Sequence, residues 1–76
     1  MDNMDKKQFA IASSGSYEIE KISAKTLRGA KAVASRTFSQ SLNGKIKVYE
    51  VEHYPEGDNF VEVAIKYGYD KKWTNL

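Results

Sequence analysis

The stretch Ser23-Ala24-Lys25-Thr26-Leu27-Arg28-Gly29-Ala30-Lys31-Ala32-Val33-Ala34-Ser35-Arg36-Thr37-Phe38 decides the fold. Leu27, Ala30, Ala34 and Phe38 recur at spacings of three and four, with Val33 and Thr37 on the flank, which is the period of an amphipathic helix. Ser23 or Thr26 can cap its start through a side-chain oxygen, and Asn43-Gly44 supplies residues that tolerate a left-handed stop. The spacing predicts a helix from about residue 25 to about residue 40.

Outward from this helix the period changes to two. On its N-terminal side, residues 8–12 and 17–22 read as strands joined by the turn-rich Ser13-Ser14-Gly15-Ser16. On its C-terminal side, residues 45–53 are rich in β-branched and aromatic side chains and form a third strand. Ile46 and Val48 share one parity there while Tyr49 and Val51 share the other, so either both faces are partly covered or a bulge shifts the phase, with the bulge preferred. Tyr54-Pro55-Glu56-Gly57-Asp58-Asn59 is a turn. A fourth strand follows at 60–67, with Val61, Val63, Ile65 and Tyr67 expected on one face, and a short fifth is expected within 69–74, carrying Trp73. The order β-β-α-β-β predicts an α+β fold: an antiparallel sheet of four to five strands with one amphipathic helix packed on one face. Trp73, Phe38, Leu27, Val63 and Ile65 are the expected core.

With 76 residues the chain has room for one domain, read here as a solvated leader over 1–7 and a single α+β domain over 8–76. Its 41% apolar and 29% charged residues describe an ordinary soluble globular protein. The absence of cysteine excludes thiol catalysis, disulfide staples and thiolate zinc sites, and fits a reducing cytoplasm. The apolar run Phe9-Ala10-Ile11-Ala12 is too brief for a signal-peptide core or a membrane span, so no membrane partner is expected.

The net charge of +2 conceals a segregation. Residues 23–42 hold Lys25, Arg28, Lys31 and Arg36 and no acid, whereas 48–62 hold Glu50, Glu52, Glu56, Asp58 and Glu62 and no Lys or Arg. Lys25, Arg28 and Arg36 fall opposite the apolar stripe, with Lys31 at its margin, so the exposed helix face is expected to be basic. Lys66, Lys71 and Lys72 could extend it, interleaved with Tyr67, Tyr69 and Trp73. Such a face suits phosphates or an acidic partner, the ordinary alternative being a solvated helix surface. Gly29 and Ala32 leave a low spot among these cations, which a partner could approach closely or which reflects nothing more than a neutral choice.

Catalysis and metal binding have little support. The single histidine, His53, has Glu52 and Tyr54 on the opposite sheet face if the strand is regular. Glu50 and Glu52 share a face and could approach Glu62, but no Gly-anchored ligand loop accompanies them. Phosphate loops of the GxGxxG or Walker kind are absent. The expectation is no catalytic residue, no cofactor and no metal, with Lys25, Arg28, Lys31, Arg36, Lys71 and Lys72 as partner-binding residues.

The run Ala24-Lys25-Thr26-Leu27, then Ala30-Lys31, then Ala34-Ser35, a Gly-led strand, and the ending Lys66-Tyr67-Gly68-Tyr69-Asp70-Lys71-Lys72-Trp73 resembles the ninth family of type I-F anti-CRISPR proteins, over residues 17–75 in order and spacing. These are small phage-encoded inhibitors. The resemblance implies a phage or prophage protein acting in the host cytoplasm, docked on the repeated backbone subunits of an RNA-guided surveillance complex, where it blocks target DNA from pairing with the guide. Some such inhibitors also promote nonspecific duplex binding. By motif position Lys31, Lys71 and Lys72 would make the contact. The chain departs from the pattern in its longer leader and its acidic hairpin. The alternative is a small nucleic-acid-binding module acting directly on DNA or RNA, whose affinity would fall steeply with salt. A free sheet edge would also permit pairing across a two-fold axis.

Overall fold

A computed structural model describes residues 7–13, 18–38, 44–67, 70 and 72–76. The elements run β1 (Gln8–Ser13), β2 (Glu20–Ile22), α1 (Leu27–Thr37), β3 (Lys45–Tyr54), β4 (Gly57–Tyr67) and β5 (Thr74–Asn75). They form the expected α+β arrangement, one helix on a five-stranded antiparallel sheet of order β2-β1-β3-β4-β5. Because β2 and β3 both run antiparallel to β1, they are parallel to one another. Parallel strands need a long crossover over the sheet, and α1 supplies it, packing on β1 and β3.

The helix is shorter than its period suggests. Thr26 caps it in extended conformation (φ −131°, ψ 158°), its Oγ1 accepting the Gly29 N–H at 3.0 Å. It ends at Thr37, with the Phe38 N–H donating to the Ala34 carbonyl at 3.0 Å; Asn43, the expected stop, lies outside the described residues. The same cap explains Gly29. A Cβ there would meet Thr26 Oγ1 at 3.3 Å, a tight contact, and Ala24 Cβ at 3.6 Å, so the cap itself leaves little room for a side chain at this position.

Both faces of the sheet are covered, which resolves the mixed parity of β3. Phe9, Ile11, Ile46, Val48 and Ala64 face the helix and meet Ala30 and Ala34, while Ala10, Ala12, Tyr49 and Val51 cluster with Phe60 on the far side. Against β1 the register of β3 is unbroken. The bulge exists as well, but its extra residue belongs to β4: Val48 pairs with Ala64 and Tyr49 with Glu62, leaving Val63 over. The bulge therefore divides the face that sequence parity assigned to Val61, Val63, Ile65 and Tyr67. Val63 packs on the helix side, while Ile65, paired with Lys47, lies on the other.

The buried core also differs from the expected one. Leu27, Phe38, Val63 and Trp73 are half-buried at its margin, and its centre is Phe9, Ile11, Ile46, Val48 and the strand residue Ala64 beneath two helix alanines, Ala30 and Ala34, all three alanines being fully buried. Helix and sheet approach closely only where side chains are small, so alanine occupies the contact and the bulkiest groups ring it.

Tyr54 pairs with Gly57 across Pro55 and Glu56, so the β3–β4 turn is tighter than expected and β4 begins at Gly57. Pro55 fixes the first corner position, and Gly57 follows at φ 142°, where L side chains are strained. A Cβ at Gly57 would meet nothing within 4 Å. Gly57→Ala is thus expected to destabilise the fold by about 1–2 kcal/mol through backbone conformation alone, read as a lower urea midpoint with unchanged slope; an unchanged midpoint would refute this.

The outer half of this hairpin bends across the far face. Lys21 in β2 and Asp58 in β4 form an ion pair although β1 and β3 lie between their strands. A flat sheet would hold those strands about 14 Å apart. Sheet coiling, sharpened by the bulge, and the small side chains of Ala10 and Ala12 allow the approach.

Candidate interaction surface

The cap and the apolar stripe fix the rotation of α1, and that rotation decides which cations reach solvent. Arg28 and Arg36 are exposed on the helix and Lys25 is exposed just before it. At 1.5 Å per residue Arg28 and Arg36 stand about 12 Å apart along the helix axis. Among the described residues, none of the three forms an ion pair. Lys31 is half-buried, as its marginal wheel position implies, and its Nζ donates to Asn75 Oδ1 at 2.6 Å.

That bond joins the helix to the C-terminal segment. Residues 74 and 75 pair with Ala64 and Ile65, and the Leu76 N–H donates to the Val63 carbonyl at 3.0 Å. Trp73 packs at the edge of the helix-side core. Lys66, absent from the expected binding set, lies at the centre of this junction: it is paired with Ile46 on the helix side, its Nζ donates to Ser35 Oγ at 3.3 Å, and it stands 5.5 Å from the Trp73 ring centroid. Strand parity places Lys66 opposite the apolar face, and only the bulge in β4 brings it to the helix side. Lys72 is exposed next to Trp73, and Lys71 lies outside the described residues. The structure thus links Lys31, Lys66 and the segment carrying Lys72, with Arg28 and Arg36 on the same helix and Lys25 at its start.

The acidic hairpin has a different organisation. The β4 bulge places Glu62 opposite Tyr49 on the far face, while Glu50 and Glu52 pair with Val61 and Asn59 on the helix side. The three carboxylates therefore do not converge. Glu50 is paired with Lys7 at 3.5 Å and Glu62 with Lys47 at 3.3 Å. Glu52 instead accepts the Tyr54 hydroxyl at 2.9 Å and the Asn59 amide at 3.3 Å, and its carboxylate raises the Tyr54 phenol pKa.

His53 is exposed on the far face, with Nδ1 2.8 Å from Asp58 Oδ1. Asp58 is shared between Lys21 and His53, and these hydrogen bonds, that of Lys21 first, hold its carboxyl below the usual aspartate range against a smaller opposing effect of desolvation. A depressed folded-state pKa means that the stabilisation is present above the unfolded-state value and is lost as pH falls through the folded-state value. In an NMR titration Lys21→Ala is expected to raise the Asp58 midpoint toward that of an unperturbed aspartate; an unmoved midpoint would show that Lys21 does not set it.

Neither a family model, nor a curated protein, nor a solved structure matches the chain.

Proposed function

We propose that the protein is a non-enzymatic phage or prophage inhibitor that binds a type I CRISPR surveillance complex of the host and blocks hybridisation of target DNA with the guide. The observation that carries this reading is the acid-free helix surface of Lys25, Arg28, Lys31 and Arg36, continued by Lys66 and Lys72 through the bonds of Lys31 to Asn75 and of Lys66 to Ser35. A helix holds cations at fixed separations, so less side-chain and backbone freedom is lost on docking than a flexible basic tail would lose. Against acidic or RNA-bearing elements that line a nucleic-acid channel, the same charges accelerate encounter and fix orientation.

The direct nucleic-acid module is less favoured by the position of Trp73. Its ring is half-buried against the core beneath Lys66 and is not presented as a free stacking platform. A net charge of +2 is also small for general duplex binding.

The test is target-DNA binding by a purified type I-F surveillance complex with and without the protein, beside bare DNA at about 50 and 200 mM salt. Loss of DNA binding by the complex, relieved by Lys31→Glu or Lys72→Glu, is the expected result. Salt-sensitive binding to bare DNA with no effect on the complex would transfer the function to the direct module, and silence in both assays would refute both readings.

A further inference from the structure

The helix surface leaves the other half of the charge segregation unused. β5 pairs with β4 only at Ala64 and Ile65, and the Leu76 N–H reaches Val63 at the bulge. Beyond it, no described strand pairs with the outer edge of β4 over residues 57–62. An unpaired edge of that length is a template for another strand. Most of its side chains are accessible: Asn59 and Glu62 are exposed, Val61 is 38% exposed, and Phe60 and the Asp58 side chain are half-buried.

Charge selects the occupant. Residues 56–62 contain Glu56, Asp58 and Glu62 and no cation, and Glu52 lies beside Asn59 on the neighbouring strand. Lys21 and Lys47 offset Asp58 and Glu62, whereas Glu52 and Glu56 carry no ion pair among the described residues. A second copy fits poorly. Two-fold antiparallel pairing sets residues of the same face opposite one another, so a register centred on Phe60 opposes Asp58 to Glu62, one on Asn59 opposes Glu56 to Glu62, and one on Asp58 opposes that residue to itself. A register centred on Val61 carries the added strand onto Ala64, which β5 already occupies. Nucleic acid is disfavoured by the same carboxylates.

We propose that the outer edge of β4 over residues 57–62 receives an extended cationic segment of another protein, which joins the sheet as an antiparallel strand end to end with β5. Main-chain hydrogen bonds supply the attachment. Lysine or arginine answers Glu56 at the turn and Glu62 beyond Phe60, Asp58 being held already by Lys21 and His53. This surface is distinct from the basic helix face and stands or falls independently of it.

The probe is a synthetic heptapeptide with threonine at each end and lysine alternating with valine between them, titrated into isotopically labelled protein. Its counterpart carries glutamate for lysine. Expected are saturable amide shifts and slowed hydrogen exchange over 57–62 with the lysine peptide alone, and about tenfold weaker binding to the double variant Glu56→Gln with Glu62→Gln. Both positions are exposed, so that variant should retain the native spectrum. Absence of saturable shifts over 57–62, equal response to both peptides, or protection of these amides that grows with protein concentration in the absence of peptide would each overturn the proposal.

Discussion

Ile11→Ala is expected to lower the thermal midpoint by about 10–30 °C, among the largest stability losses of any single truncation on the sheet. Ile11 is 1% exposed, pairs with Val48, and belongs to the cluster that includes Ala30 and Ala34 of the helix. The small residues above it are already as short as they can usefully be, so they cannot move in to fill the space, and a cavity adds to the lost transfer energy. Such substitutions cost about 2–5 kcal/mol. A domain of this size is stable by only about 4–11 kcal/mol, so the variant is partly unfolded at physiological temperature if its stability lies at the lower end. Ile65→Ala is the control. Ile65 is half-buried, on the far face outside both clusters, and its truncation is expected to cost under about 1.5 kcal/mol. Circular dichroism melts of the two variants check the ordering; a larger loss at Ile65 would overturn this account of the core.

Reversing Arg28, Lys31 and Arg36 together to glutamate is expected to abolish action on the surveillance complex while leaving the fold intact. The change moves the net charge by six, from +2 to −4, and the surface proposed to dock becomes repulsive to phosphate and carboxylate alike. Its effect on stability is small because the helix termini offset one another. Glutamate at 28 enters the first turn, where α1 has no acid, and favours the dipole by about 0.3–1 kcal/mol; at 36 it replaces the basic residue of the last turn and costs about the same. Loss of the Lys31 bond to Asn75 removes one exposed contact. A variant with a native melt and undiminished inhibition would refute the proposed role of the helix face. An equal loss of bare-DNA affinity would point to the direct module.

The order of elements and the basic helix face were legible because each rests on a local period. Leu27, Ala30, Ala34 and Phe38 mark the helix without reference to anything distant, and the acid-free run beside them is visible in the chain itself. Parity in the sheet is less informative, since Tyr49 and Val51 are buried in a cluster with Ala10 and Ala12 from the first strand and Phe60 from beyond the turn. Val63 as a bulge residue leaves no mark in composition. Side-chain size does not indicate depth in this core, because a helix lying close on a sheet puts alanine deepest and displaces Leu27, Phe38 and Trp73 to the rim. Lys66 is legible only with the register in hand, because its importance comes from Ser35 and Trp73, which the chain brings to it from two other segments.

The interior position of the first strand has a consequence for how the chain reaches this structure. The β3–β4 hairpin closes through a two-residue turn and loses little entropy in doing so, whereas β1 must find β3 across about half of the chain, pairing Gln8 with Val51 and Ser13 with Ile46. The hairpin is therefore the early event and insertion of β1 the slow one. Until then Phe9-Ala10-Ile11-Ala12, apolar toward both sides of the future sheet, has only the short β2 beside it, and β3 has an open flank. During synthesis β1 leaves the ribosome well before the strand that shelters it, so the interval before β3 emerges is when this protein is most prone to aggregate.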